Sequence, residues 1–200
     1  DIYFLEHKTL SMHNVNIATN LIFEDFLKSK YKSITIWMDS KNINEVANCN
    51  YAENWLRKHS SSFESLLVEM PTSSLNSLSD SNWIKCIKSI NSIENVEVGY
   101  YMNTLQLKKC SEDLKKKLEN SLNCKKLNSE TMKVLNATNI NSITFDYKVG
   151  FLPVENDQNF KNLRWHTWHV DSVQAIENLV KRQNTGIILL KNNKHLDNLN

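Results

Sequence analysis

The chain predicts an α/β fold, a TIM-type (β/α) barrel that is incomplete or altered at its N-terminus. Three observations point there. Strand-like runs alternate with helical patterns along most of the chain, which argues for a mainly parallel sheet covered by helices. No glycine-rich first turn announces an open doubly wound sheet, since Gly99, Gly150 and Gly186 stand isolated. Polar and charged residues gather where strands end, at Asp39, Lys41, Glu69, Asn103, Asp146 and Lys148, and the strands' C-terminal ends are where a barrel places its chemistry.

The elements follow in order. Ile2–Glu6 reads as a strand, and Ile22, Phe23, Phe26 and Leu27 form the apolar stripe of a helix after it. Ile34–Asp39 reads as the next strand. It sends Ile34, Ile36 and Met38 to one face, suited to helices, and Thr35, Trp37, Asp39 and Lys41 to the other. Ile43, Val46, Ala47, Trp55 and Leu56 mark the helix that follows, and Ser65–Met70 the strand after that. Asp80 or Ser81 is suited to cap a helix that buries Trp83, Ile84 and Ile87.

Beyond the strand Val96–Tyr101, Cys110, Leu114, Leu118 and Leu122 recur every four residues, as one helix would require. Met132, Val134 and Leu135 belong to a short helix after it. The strand Ser142–Tyr147 repeats the earlier alternation, with Ile143, Phe145 and Tyr147 against Thr144, Asp146 and Lys148. Leu163–Trp168 and Gly186–Leu190 complete the strands. Between them Asp171 is a plausible N-cap for a helix carrying Val173, Ile176, Leu179 and Val180, ending near Asn184-Thr185-Gly186.

Two hundred residues at 40% hydrophobic content suffice for one core, so a single domain over 1–200 is expected. A net charge of +2 gives no electrostatic reason to expect a nucleic-acid partner. The lysines between Lys108 and Lys126 are interrupted by Glu112, Asp113 and Glu119 and read as a solvated helix face. No apolar run approaches the ~18 residues of a transmembrane segment, and no signal peptide is visible. The chain starts at Asp1 rather than Met, as an excised domain or processed product would, so the missing signal says little and a cytoplasmic compartment is only slightly favoured. Cys49, Cys86, Cys110 and Cys124 lack C-x-x-C spacing, and Cys86 and Cys110 sit at apolar helical positions. The expectation is buried free thiols rather than a metal site or a disulfide framework.

The last third, His166-Thr167-Trp168-His169-Val170-Asp171, then Ile176-Glu177-Asn178-Leu179-Val180, then Thr185-Gly186-Ile187-Ile188-Leu189, resembles the end of a glycerophosphodiester phosphodiesterase or phosphatidylinositol-phospholipase-C type barrel. Ile36-Trp37-Met38-Asp39-Ser40-Lys41 resembles that superfamily's carboxylate-x-Lys strand, and Tyr3-Phe4-Leu5-Glu6-His7-Lys8-Thr9-Leu10 its Phe-His-Asp-x-Thr-Leu segment. Ser65-Leu66-Leu67-Val68-Glu69 occupies the place of the next strand. The six strands from Ile34 onward would match the third to eighth of that barrel. The superfamily's opening His-Arg-Gly strand and Glu-x-Asp are absent from this sequence, and Glu6-His7 stands in an order that displaces the histidine by one position. On this reading the chain is part of a longer protein, whose preceding residues or another chain complete the barrel.

The resemblance implies metal-assisted hydrolysis of a phosphodiester, the substrate being a glycerophosphodiester or a phosphorylated lipid head group. Asp39 would ligate Mg²⁺ or Ca²⁺, which suit oxygen ligands; Asp146 is a further candidate ligand from its position alone. Lys41 would hold a phosphate oxygen, and His7 or a histidine preceding this sequence would move the proton. Glu69 is a candidate from its place at a strand end. The bland alternatives are a structural ion pair for Asp39 and Lys41, a strand terminator for Glu69 beside Met70-Pro71, and a catalytically inactive barrel serving as a binding or assembly module. His166 and His169, three apart on a strand, point to opposite faces and form no zinc pair, while Trp165 and Trp168 read as packing residues.

Overall fold

A computed structural model describes residues 35–118 and 120–190. The strand read at Ile2–Glu6, the helix over Ile22–Leu27 and His7 lie outside the described residues. Six strands lie within them: β1 (Thr35–Asp39), β2 (Ser65–Met70), β3 (Val96–Tyr101), β4 (Ser142–Asp146), β5 (Arg164–Val170) and β6 (Thr185–Leu190). They form one sheet in chain order, and every neighbouring pair is parallel. Helices fill the crossovers: α1 (Val46–His59), α2 (Ser81–Asn91), α3 (Thr104–Lys115) with α4 (Leu122–Thr138), α5 (Tyr147–Asn156) and α6 (Val173–Val180). Parallel strands require such connections, because a hairpin cannot return the chain to the same end of the sheet.

The strand order never reverses, so the sheet has no switch point of the doubly wound kind. It also curls. Trp37 of β1 meets Trp168 of β5 edge-on, their ring centroids 5.5 Å apart, and meets His166 of the same strand at 6.0 Å. In a flat sheet those strands, four positions apart, would be separated by ~19 Å. The contacts exist because one face is concave and these side chains reach across it. The architecture is therefore a curled, parallel half-barrel with its helices on the convex side.

Residue parity follows the sequence. Ile36, Leu66, Val68, Met70, Val96, Val98, Tyr100, Ile143, Phe145 and Trp165 join the helices in one continuous core. Leu67, also fully buried, lies on the concave face beside Gly99. Trp83 of α2 is fully buried and donates its Nε1–H to the Ile43 carbonyl at 2.8 Å, stapling α2 to the turn after β1. Asp80, one of the two anticipated caps, accepts from the backbone N–H of Asn82 and Trp83.

Several expectations need correction. The leucine stripe from Cys110 to Leu122 does not lie on one helix. The chain turns between α3 and α4, where Lys117 and Asn120 adopt positive φ, and Leu118 and Leu122 stay exposed. The short helix read around Val134 is instead the 17-residue α4. The strand read as Ser142–Tyr147 ends at Asp146, whose side chain accepts from Lys148 N–H and opens α5. Gly150 and Pro153 hid that helix in the sequence; Gly150 is needed because a Cβ there would come within 2.6 Å of Phe145. The cap of α6 is Ser172, accepting from Ala175 N–H at 3.2 Å, while Asp171 pairs with Lys148 at 3.0 Å.

The cysteines are not free thiols. Cys49 of α1 is bonded to Cys86 of α2, and Cys110 of α3 to Cys124 of α4, with Cα separations of 6.2 and 4.7 Å. Spacing along the chain gave no sign of this, because each bond joins consecutive helices that become neighbours only when they pack on the same side of the sheet. A cysteine on the facing side of each helix then finds its partner rather than a hydrocarbon.

Candidate functional site

The concave face ends, at the strands' C-terminal edge, in a cluster of polar and aromatic side chains. Alternation puts Trp37 and Asp39 of β1, Glu69 of β2, Gly99 and Tyr101 of β3, Thr144 of β4, and His166 and Trp168 of β5 on this face. Register then sets neighbours: Asp39 lies opposite Glu69, and Glu69 opposite Gly99. Three of the residues singled out in the sequence, Asp39, Lys41 and Glu69, are brought together here.

Glu69 is the centre of the cluster. It is only 5% exposed and its Oε2 accepts from the indole Nε1–H of Trp37. Burial pushes its carboxyl up to about 7, reinforced by the neighbouring Asp39 and opposed by the Trp37 hydrogen bond and the Lys41 charge. A carboxyl poised at neutral pH can both accept and release a proton there. Thr144, fully buried, lies close enough to Glu69 to favour its charged form, yet its Oγ1 makes no hydrogen bond of ordinary geometry. The approach of Thr144 depends on Gly99, where a Cβ would stand 2.8 Å from the Thr144 methyl.

Lys41 sits just past β1, with Nζ 2.7 Å from Asp39 Oδ2 and 5.7 Å from the Tyr101 ring centroid. Partial burial works against its charge, but the hydrogen bond to Asp39 and the charges of Asp39 and Glu69 outweigh it and hold the ammonium above its usual range. Its side chain is 64% exposed, so the pair contributes little to stability. A cation that is fixed in place yet open to solvent suits an anionic ligand. Tyr101 packs on Trp168 at 5.0 Å, and Trp168 on Trp37, giving the rim an aromatic wall. Trp168 is thus a packing residue, as expected, though one that faces the concave side. Trp165 faces the helices and donates to the Phe160 carbonyl.

Asp146 ends β4 on the same face, level with Trp168. It lies two strands beyond Glu69, and its Oδ1 accepts from Lys148 N–H at 2.9 Å, a cap's role. Among the described residues no three His, Cys, Asp or Glu side chains come together to hold a metal ion. Asp39 faces an ammonium and Glu69 holds its proton to near neutrality, so the described residues do not by themselves fit Mg²⁺ or Ca²⁺.

A second polar network was missed in the sequence. Fully buried His166 accepts the Ile187 N–H at its Nδ1 (3.0 Å), which leaves the proton on Nε2, 3.1 Å from Glu97 Oε1. Arg164 approaches the other carboxylate oxygen at 3.4 Å. Burial tends to raise Glu97, but the hydrogen bond from His166 and the charge of Arg164 prevail and hold it below its usual range. Gly186 makes room for the imidazole, since a Cβ there would stand 2.4 Å from His166 Cε1. The available signal was Glu97 itself, a charge alternating with Val96 and Val98 in a buried strand.

Compared with protein-family models, with curated proteins and with solved structures, the chain matches none.

Proposed function

We propose that this chain carries the site of a TIM-type barrel phosphodiesterase acting on a glycerophosphodiester or a phosphorylated lipid head group. The observation that carries the reading is Glu69, a buried carboxyl titrating near neutrality beside a fixed, exposed ammonium at the C-terminal edge of a curled parallel sheet. Lys41 binds a non-bridging phosphate oxygen and Asp39 holds it in place. Glu69 takes the proton of the attacking water as the P–O bond forms, and His7, assigned from the sequence, protonates the departing alkoxide as the ester P–O bond breaks. No step here is routed through Mg²⁺ or Ca²⁺; a divalent cation would draw ligands from outside the described residues.

A second reading has its own support. The aromatic rings of Trp37, Tyr101 and Trp168 pack on one another across the concave face, as they would in a barrel retained as a binding or assembly module.

Hydrolysis of a chromogenic phosphodiester by the protein, with Mg²⁺, with Ca²⁺ and with a chelator, separates the two. Turnover is expected to fall by about 10²–10⁴ in Glu69→Gln, and by less in Asp39→Asn, which loosens Lys41 without removing it. Activity untouched by Glu69→Gln would overturn the mechanism. A folded protein without activity under any of the three conditions would establish the binding module. A loss on chelation would add a metal to the site.

A further inference from the structure

The cysteine bonds change what another part of the sequence means. All four cysteines of the chain are used in the two bonds that join α1 to α2 and α3 to α4. Paired cysteines throughout a chain are the habit of proteins that fold in an oxidising, secretory compartment. In that compartment an Asn-x-Ser/Thr triplet is an acceptor for N-linked oligosaccharide. The chain is rich in asparagine, yet only Asn136 is followed two residues later by a serine or threonine, in Asn136-Ala137-Thr138.

We propose that Asn136, on the last turn of α4, is an N-glycosylation site. Its residue is exposed, so a glycan there displaces no core side chain. Its place in the fold is also permissive. In a parallel α/β sheet the helix runs antiparallel to the strands, so the end of α4 lies by the N-terminal end of β4, which begins at Ser142. Asp39, Lys41 and Glu69 lie at the opposite edge, and a glycan on Asn136 leaves that rim open. This inference does not depend on the phosphodiesterase reading.

The structure also dictates when transfer occurs. Thr138, whose hydroxyl makes the triplet an acceptor, is fully buried and donates its Oγ1–H to the Val134 carbonyl at 2.6 Å. Asn139 closes the helix in the left-handed conformation, its N–H bonded to Leu135. The folded helix therefore withholds the triplet, and modification precedes the folding of α4. In the transfer, Asn136 Nδ2 forms a bond to C1 of the sugar of a lipid-pyrophosphate oligosaccharide donor. The C1–O bond to the pyrophosphate breaks, the lipid pyrophosphate leaves, and one amide proton passes to the transferase.

The test is peptide mapping of the protein recovered from its source, before and after peptide:N-glycosidase treatment. A downward gel shift on treatment, with aspartate left at position 136, is expected. Secretory expression of Asn136→Gln should abolish the shift, whereas Thr138→Ser, which keeps a hydroxyl in the buried position, should retain it. An unmodified Asn136 peptide in the source protein would overturn the proposal, whether its cysteines proved paired or free.

Discussion

Glu69 shows how one buried carboxyl couples chemistry to stability. Its folded-state proton affinity, near pH 7, lies above the 4.5 of an ordinary glutamate, so the folded chain holds more protons than the unfolded one between those values. Its contribution to stability is full below pH about 4.5 and is lost as the pH rises through about 7. The window implies a cost on the order of 3 kcal/mol at pH 8. Glu69→Gln cannot ionise and can still accept the Trp37 N–H. Urea denaturation at pH 5 and pH 8 is therefore expected to show a smaller loss of stability for the variant than for the parent. An equal loss in both would place the titration elsewhere. Glu97 has the opposite sign. Its contribution is present above the usual glutamate range and drains on acidification through its lowered value, so the two carboxyls narrow the stability optimum from both sides.

At the scale of elements, the cysteine bonds tie the helical layer in pairs. Cys49–Cys86 closes a separation of 37 residues and Cys110–Cys124 one of 14. The loss of unfolded-chain entropy would stabilise the fold by about 4 and about 3 kcal/mol respectively. Thermal melts of Cys49→Ala/Cys86→Ala and Cys110→Ala/Cys124→Ala should both shift down, the first by more. Melts of the parent should fall with added dithiothreitol while those of a protein lacking all four cysteines should not. A parent melt indifferent to reductant would contradict both bonds. These bonds were illegible in the sequence because nothing along the chain says which helices will lie side by side. The strands were legible because each advertises its buried face locally: Ile36 against Trp37, Val98 against Glu97, Phe145 against Thr144. The leucine stripe misled because a four-residue spacing continued across a turn set by the backbone of Lys117 and Asn120, which no apolar pattern records.

Over the whole molecule, curling of the sheet makes a site out of separate strand ends. Trp37 spans the concave face, touching β2 through Glu69 and β5 through His166 and Trp168. Removing its ring should open that face. Trp37→Ala is expected to cost about 3 kcal/mol in denaturant unfolding, as a large side chain leaves a void. Trp37→Phe keeps an aromatic ring but not the N–H donor to Glu69. In it, the titration midpoint of Glu69, followed by the carboxyl band in infrared spectra, should move above 7. A midpoint that stays or falls would mean that the indole does not stabilise the carboxylate.

The sequence by itself determined the alternation of strands and helices, the face each strand turns to the helices, and the presence of Asp39, Lys41 and Glu69 at strand ends. Those properties depend on side-chain period and local turn chemistry, which neighbouring residues carry. Only the tertiary structure decided which strand ends meet, that Asp146 caps a helix while Asp39 and Glu69 share a rim, that His166 is locked to Glu97, and that the cysteines pair. Each of these rests on contacts between residues distant in the chain, and burial, which moves Glu69 toward neutrality, exists only once those contacts have formed.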